Sequence, residues 1–411
     1  MRPALTSLCA LATLAAGMAA HADPVRVLFV GNSYTFGRVD PVMSYNAANV
    51  HDLTATMNAA NATGSNPYEP HPWGGVAGIF KQFTVQAGLD YDVSLSTRNA
   101  ASLRGHFLNT NSAGWDLRGN IASQTWDKVV LQEQSDEPLP KQPGMASNPD
   151  WFLNYTDKIE DFIHNGQAQS YRERDFFPGA TAAQRTAACQ AATGASATSC
   201  NTLRNIPANS FASASSEVYL YETWARPNLV DGAFVTTTDD TTGAVTRTST
   251  PADTYYRSLA EMTDDLREAY LNAATLAGAD GTGGITGIAP VGEAFQRAVD
   301  SGLVTRDMWA PDAATDGLMD LWFDDGTHAS RYGSYLSALT LFGTLTGLDP
   351  LSLGAGEIAA SQLGIGQADA LALQRIASQQ LGFSTVPEPA SLALAALGLL
   401  ALGLCRRYRP S

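Results

Sequence analysis

The chain reads as a three-layer α/β sandwich around a central parallel sheet. Short apolar runs rich in β-branched and aromatic residues recur along it, as suits parallel strands buried on both faces. Between them lie segments whose apolar residues repeat at helical spacing, which suits helices packed on a sheet. Polar tracts rich in turn residues interrupt the pattern without adding a repeat. Strands alternating with helices in this way build one doubly wound domain.

The elements follow in chain order. Residues 1–22 read as a signal peptide: Met1 and Arg2 precede an apolar stretch from Ala4 to Ala20, and Ala20-His21-Ala22 is a small-x-small cleavage site. Asp23-Pro24 separates that stretch from the first strand, Val25–Val30. Further strands are expected at Trp126–Leu131, Glu217–Trp224 and Ile285–Val291. Tyr255, Leu259, Met262, Leu266 and Tyr270 space out one helix. Tyr332, Tyr335, Leu336, Leu339 and Phe342 space out another, and 368–380 forms a last one. Tracts at 136–149, 176–210 and 228–251 read as surface insertions, the third as a hairpin. The domain therefore spans 23–381, followed by a linker at 382–386 and a separate tail at 387–411.

That tail is Pro387-Glu388-Pro389, an apolar run from Ala390 to Cys405, and Arg406-Arg407-Tyr408-Arg409. The run is slightly short for the roughly 20 residues of a full span, and the basic cluster suits a cytoplasmic flank. The three parts together resemble the PEP-CTERM sorting signal. The resemblance implies exosortase as a processing partner, beside the signal peptidase implied by the leader. A plain membrane anchor is the alternative; either way the body is exported and at least transiently tethered.

The net charge is −15. Arg2 and three tail arginines lie outside the domain, so the domain is more acidic still and should repel nucleic acid. Only Cys189 and Cys200 lie in the body. In an oxidising compartment they are expected to pair, two free thiols being the alternative. No spacing of Cys and His points to a metal site.

The chemistry is concentrated at the two ends of the domain. Gly31-Asn32-Ser33-Tyr34-Thr35 puts a serine just beyond the first strand, where α/β folds gather their ligands. Asp325-Gly326-Thr327-His328 puts an aspartate three residues before a histidine. A serine hydroxyl needs a base to become a nucleophile, and an imidazole oriented by a carboxylate is the usual one. Ser33, His328 and Asp325 therefore form a candidate triad, with Asp324 as the rival carboxylate. The alternatives are local: Ser33 as a helix N-cap, Asp325 as a cap or turn residue, His328 as a structural residue.

These two blocks resemble the first and last blocks of the SGNH (GDSL-like) hydrolases, in the variant with Gly-Asn-Ser. The resemblance covers about Val25 to Gln380 and implies a flavodoxin-like SGNH fold and an ester-cleaving activity without cofactor. It implies an oxyanion hole from the Ser33 N–H, a glycine N–H in a second block and an asparagine in a third. Arg98-Asn99-Ala100-Ala101 stands for the second block and Gln132-Glu133-Gln134-Ser135 for the third. Ala100 and Gln134 thus replace the expected donors. Ala100 can serve if its backbone does not need positive φ, and Gln134 offers its amide on a longer arm.

His106 and Trp224 are further candidates for the pocket. His106 is otherwise a satisfied surface residue. Arg226 either meets an anionic group or pairs with a carboxylate. His71-Pro72-Trp73-Gly74-Gly75 lines a pocket mouth or packs as an aromatic turn. Glu133 and Asp136 receive no role. The substrate expected is a small-molecule or polysaccharide ester. A non-catalytic glycan-binding protein on the same fold is the other reading.

Overall fold

The computed structural model describes residues 23–383, apart from 39, 56–71, 110–115, 231–232, 239–240, 242–244, 251–253, 311 and 314. The leader and the sorting tail lie outside the described residues, as do His71 and residues 384–386 of the linker. No helix among the described residues is long and apolar enough to cross a membrane.

Six parallel strands form the central sheet: β1 (Val25–Gly31), β2 (His51–Asp52), β3 (Tyr91–Thr97), β4 (Lys128–Gln132), β7 (Glu217–Tyr221) and β10 (Gly287–Ala289). Their order is β10-β7-β4-β1-β3-β2. Two small antiparallel pairs stand apart from it. One joins β5 (Gln169–Arg172) to β6 (Leu203–Ile206), and the other joins β8 (Ala233–Thr238) to β9 (Val245–Thr250). The expected three-layer α/β architecture is present, and the hairpin at 228–251 is formed.

Strand β1 is central because it is apolar on both faces: Val27, Leu28, Phe29 and Val30 are fully buried. Helix Arg331–Thr346 packs with helices Gly75–Gln86, Gln367–Gln380 and Val291–Asp300. A second group of helices joins Pro149–His164 to Leu259–Ala277 and Leu103–Leu108. The contacts are aromatic-rich, as where Phe83 meets Tyr335 and Phe342 edge-on.

Several boundaries differ from expectation. The third run stops at Tyr221, so Trp224 lies in the loop beyond the strand. The fourth gives only Gly287–Ala289, because Pro290 caps a helix that starts at Val291. Tyr255 precedes helix Leu259–Ala277, whose N-cap is Ser258. The 176–210 tract is not simply a loop. It holds helices Ala182–Thr193 and Ala197–Asn201 and strand β6. The Cys189–Cys200 disulfide joins those two helices.

Strand β3 escaped the apolar-run criterion because Ser94 and Ser96 occupy buried positions in it. Asn120 satisfies one of them by donating to Ser96 Oγ at 3.1 Å. Helix Pro149–His164 carried its signal in the spacing of Phe152, Tyr155, Ile159 and Phe162, all buried.

Candidate functional site

The carboxyl ends of β1, β3, β4 and β7 lie side by side. Gly31 pairs with Thr97, Val30 with Leu131, and Gln132 with Tyr221. The loops that leave these ends therefore meet over one edge of the sheet.

The loop after β1 turns at once into a short helix, Ser33–Phe36. Asn32, not Ser33, is its N-cap: Asn32 Oδ1 accepts the Tyr34 N–H at 3.0 Å. The other end of the same side chain donates to Ala101 O at 3.0 Å, tying the turn to the β3 loop. Gln132 holds the turn from β4, accepting the Asn32 N–H and the Thr35 hydroxyl, each at 2.9 Å. This crossing explains the glycine at 31. A Cβ there would lie 2.4 Å from Thr35 Oγ1 and 2.5 Å from Gln132 Oε1.

Ser33 Oγ is 2.8 Å from His328 Nε2. On the far side of the ring, Asp325 Oδ2 is 2.7 Å from Nδ1. Asp325 Oδ1 accepts the backbone N–H groups of Thr327 and His328, each at 2.9 Å. Burial pushes the Asp325 carboxyl up, but the bonds from the His328 ring and these two N–H groups outweigh it. The net result is a carboxyl held below its ordinary value. Asp324 is exposed and makes none of these bonds. Asp325 does not cap helix Arg331–Thr346, whose N-cap is Ser330; it is a turn residue as well as the partner of the ring, through its bond to the Thr327 N–H.

The histidine loop is clamped from below. Tyr34 Oη and Trp224 Nε1 both donate to the Thr327 carbonyl, at 2.7 and 3.0 Å. Their rings stack at 4.1 Å, and Trp224 stacks on Phe295 at 4.9 Å. Trp224 is fully buried, so it supports the site rather than lining a pocket. Gly326 makes the turn possible with φ 63°, a region open to glycine without strain.

His106 is likewise corrected. It is neither a pocket group nor a surface residue, but fully buried, with Nε2 2.8 Å from Gly31 O. Burial lowers its pKa to about 4, so the neutral ring donates to the carbonyl and pins the end of β1. Trp73 is stacked on Phe36 at 3.9 Å, the packed aromatic turn rather than a pocket mouth.

A cavity of about 200 Å³ opens over the serine, with Ala100, Gln134, Arg38 and Arg226 in its wall. A larger cleft of about 610 Å³ around Glu357, Ser361 and Gln362 has no histidine or cysteine in its wall. Ala100 has φ 55°, the left-handed conformation that favours glycine. The proviso attached to alanine at this position therefore fails: the turn does require positive φ, and Ala100 adopts it under strain. Gln134 Oε1 accepts the N–H groups of Asp136 and Glu137, at 3.1 and 3.2 Å. The carbonyl end of Gln134 is thus committed to its own turn, and only the amide NH₂ is left for a substrate.

Glu133, given no role by the sequence, joins the two loops. Its Oε1 accepts the Leu103 N–H at 2.9 Å and the Gln134 N–H at 2.6 Å. Burial and the neighbouring Glu137 raise its pKa well above the ordinary value. Only the pairing of β4 with its neighbours brings these loops together, so spacing along the chain carried no signal for it. Elsewhere, Asp157, Asp161 and Asp280 bring carboxylate oxygens within 4.8 Å of one another. Lys158 already bonds to Asp157 and Asp161, which offsets part of that charge.

Comparison with known proteins adds two findings. The PEP-CTERM protein-sorting motif matches residues 385–407. Among solved structures, a candidate SGNH hydrolase from Slackia heliotrinireducens is similar at 17% identity and TM-score 0.33, covering 79% of this chain and 100% of that one. A DUF4886 family protein from Bacteroides uniformis is similar at 15% identity and TM-score 0.42, covering 90% and 99%. A candidate GDSL-like lipase from Parabacteroides merdae is similar at 12% identity and TM-score 0.38, covering 79% and 96%. No curated protein sequence matches significantly.

Proposed function

We infer that the protein is an exported serine hydrolase that cleaves a small acyl ester. The observation that carries this reading is the Ser33–His328–Asp325 relay, with contacts of 2.8 and 2.7 Å over an open cavity. His328 takes the Ser33 proton as Ser33 Oγ attacks the ester carbonyl, and then delivers it to the departing alcohol oxygen. Asp325 keeps the ring oriented and stabilises its protonated form. Water, activated by the same histidine, releases the acyl group from Ser33. The Ser33 N–H, the Ala100 N–H and the Gln134 amide are the donors for the oxyanion.

The sorting motif supports export and processing by an exosortase, with signal peptidase acting on the leader. A triad within hydrogen-bond reach favours catalysis over a purely glycan-binding scaffold, in which nothing maintains that alignment.

The test is hydrolysis of short aryl esters together with labelling by a fluorophosphonate. Ser33→Ala is expected to lose roughly 10³- to 10⁶-fold in rate and to lose the label. Wild-type protein that stays unlabelled while folded would overturn the reading in favour of the scaffold.

A further inference from the structure

We propose that the substrate carries an oxyanion group, a carboxylate or a sulfo group, and that Arg226 together with Arg38 recognises it. This deepens the esterase reading and rests on it. The chain is acidic, with 40 Asp and Glu against 25 Lys and Arg. Yet the cavity over Ser33 has two arginines in its wall and no carboxylate. That reverses the balance of the protein at the cavity over the proposed nucleophile.

Arg226 is the better placed of the two. Its side chain is only 12% exposed, and a buried cation needs compensation. The partners it has are mostly neutral oxygens: Ser135 Oγ at 2.9 Å, Asn228 Oδ1 at 3.2 Å and Thr327 Oγ1 at 3.4 Å. Such bonds fix the guanidinium without cancelling its charge. Asp136 Oδ1 forms an ion pair with it at 3.7 Å, the carboxylate pairing expected for Arg226, but takes no hydrogen bond from it. A guanidinium has five N–H donors, and these three bonds use three of them. A planar, pre-positioned fork with donors to spare is the group that best takes a carboxylate or sulfo group.

Its position in the chain of contacts matters as much. Ser135 follows Gln134, and Thr327 precedes His328. Arg226 therefore bridges the loop of an oxyanion donor to the loop of the base. An anionic group held there sits beside the ester being cleaved. The cavity, about 200 Å³, is smaller than those that enclose drug-sized ligands. It suits a short acyl group, with the bulk of the substrate outside.

The competing role for these arginines is stabilisation of the developing oxyanion, which serves neutral and anionic esters alike. Three aryl acetates separate the two: para-acetoxybenzoate, para-acetoxybenzenesulfonate and the neutral para-acetoxybenzamide. Wild-type kcat/KM is expected to favour at least one anionic ester by about tenfold or more. The preference should shrink toward unity in Arg226→Gln and in Arg38→Gln, and be partly retained in Arg226→Lys. Whichever anion is preferred identifies the group recognised. Equal efficiency on all three esters refutes the proposal and leaves the esterase reading intact. So does a preference that survives in both glutamine variants, or a common rate loss on all three esters.

Binding to the Ser33→Ala protein, measured by calorimetry, gives the complementary arm. Tighter binding of an anionic ester than of the amide, by a protein whose wild type hydrolyses none of them, would sink the esterase reading and keep the anion site. Equal binding of the three by that variant would sink the anion site.

Discussion

Gln132 and Glu133 are adjacent in the chain yet hold different loops of the candidate site. Gln132 accepts the backbone N–H of Asn32 at 2.9 Å and so fixes the serine turn. Glu133 accepts the N–H groups of Leu103 and Gln134 and so fixes the two loops expected to bind the oxyanion. One strand end thus sets the distance between nucleophile and oxyanion donors.

Separate variants should separate those two jobs. Gln132→Leu leaves the buried Asn32 N–H unpaired, at a cost of about 1–3 kcal/mol, and should reduce fluorophosphonate labelling of Ser33. Glu133→Gln keeps an acceptor oxygen for both N–H groups and should retain most of kcat. Glu133→Leu removes it and should lower kcat by about 10²-fold with little change in KM. Equal kcat in the Gln and Leu variants would show that Glu133 positions nothing.

Ala100 should tolerate glycine but not a β-branched residue. Its φ of 55° carries a penalty of about 1–2 kcal/mol for a residue with a Cβ. Part of that gain is offset in Ala100→Gly by the greater freedom of glycine in the unfolded chain. The glycine variant is therefore expected to be within about 1 kcal/mol of wild type, on the stable side, with undiminished hydrolysis. Ala100→Val should be less stable and slower, because a β-branched side chain fits positive φ worst. Thermal melting and ester kinetics on the pair check this.

Two neighbouring aspartates should behave oppositely. Both aspartates are exposed, but it is Asp325 that reaches His328 Nδ1, at 2.7 Å. Asp325→Asn should lower kcat by about 10⁴-fold, mainly by favouring the wrong imidazole tautomer. Asp324→Asn should change it less than about twofold, as surface changes usually do. A larger loss in the Asp324 variant would assign the carboxylate wrongly.

Glu137 should contribute stability that falls as pH rises toward neutrality. Burial, with Asp136 nearby, lifts the Glu137 pKa from 4.5 to about 7. The folded protein therefore holds this proton more tightly than the unfolded chain. The stability this confers is complete below about 4.5 and is lost as pH rises to about 7. Carboxyls shifted downward, such as Asp325 and Glu173, act in the opposite sense below that window. His106, lowered from 6.5 to about 4, acts oppositely between about pH 4 and 6.5 in both proteins, so the readout is the difference: the melting temperature of wild type relative to Glu137→Gln is expected to decline between about pH 4.5 and 7. An equal slope in that variant would remove Glu137 as the source.

What could be read from the sequence was local. Gly31-Asn32-Ser33 and Asp325-x-x-His328 each carry their chemistry within a few residues, and the structure brings them together at 2.8 Å. The apolar runs located four of the six sheet strands, with ends displaced by a few residues. Strand β3 was hidden because buried serines look polar until their partners are known. Trp224 and His106 were noticed for the right reason, proximity to the site, but packing placed them behind it. The φ of Ala100 and the grip of Glu133 depend on contacts made only after the sheet assembles, so no short stretch of sequence encodes either.

Ser33 and His328 are 295 residues apart in the chain, so the proposed relay would act as a checkpoint on synthesis. A pair of such high sequence separation forms late, because the intervening chain must be ordered before the contact is rewarded. A chain only partly emerged from a ribosome or a translocation pore holds its serine but no histidine to deprotonate it. On the proposed mechanism the protein stays inert until almost the whole domain has arrived, and fragments cut short of residue 328 would carry the serine without its base.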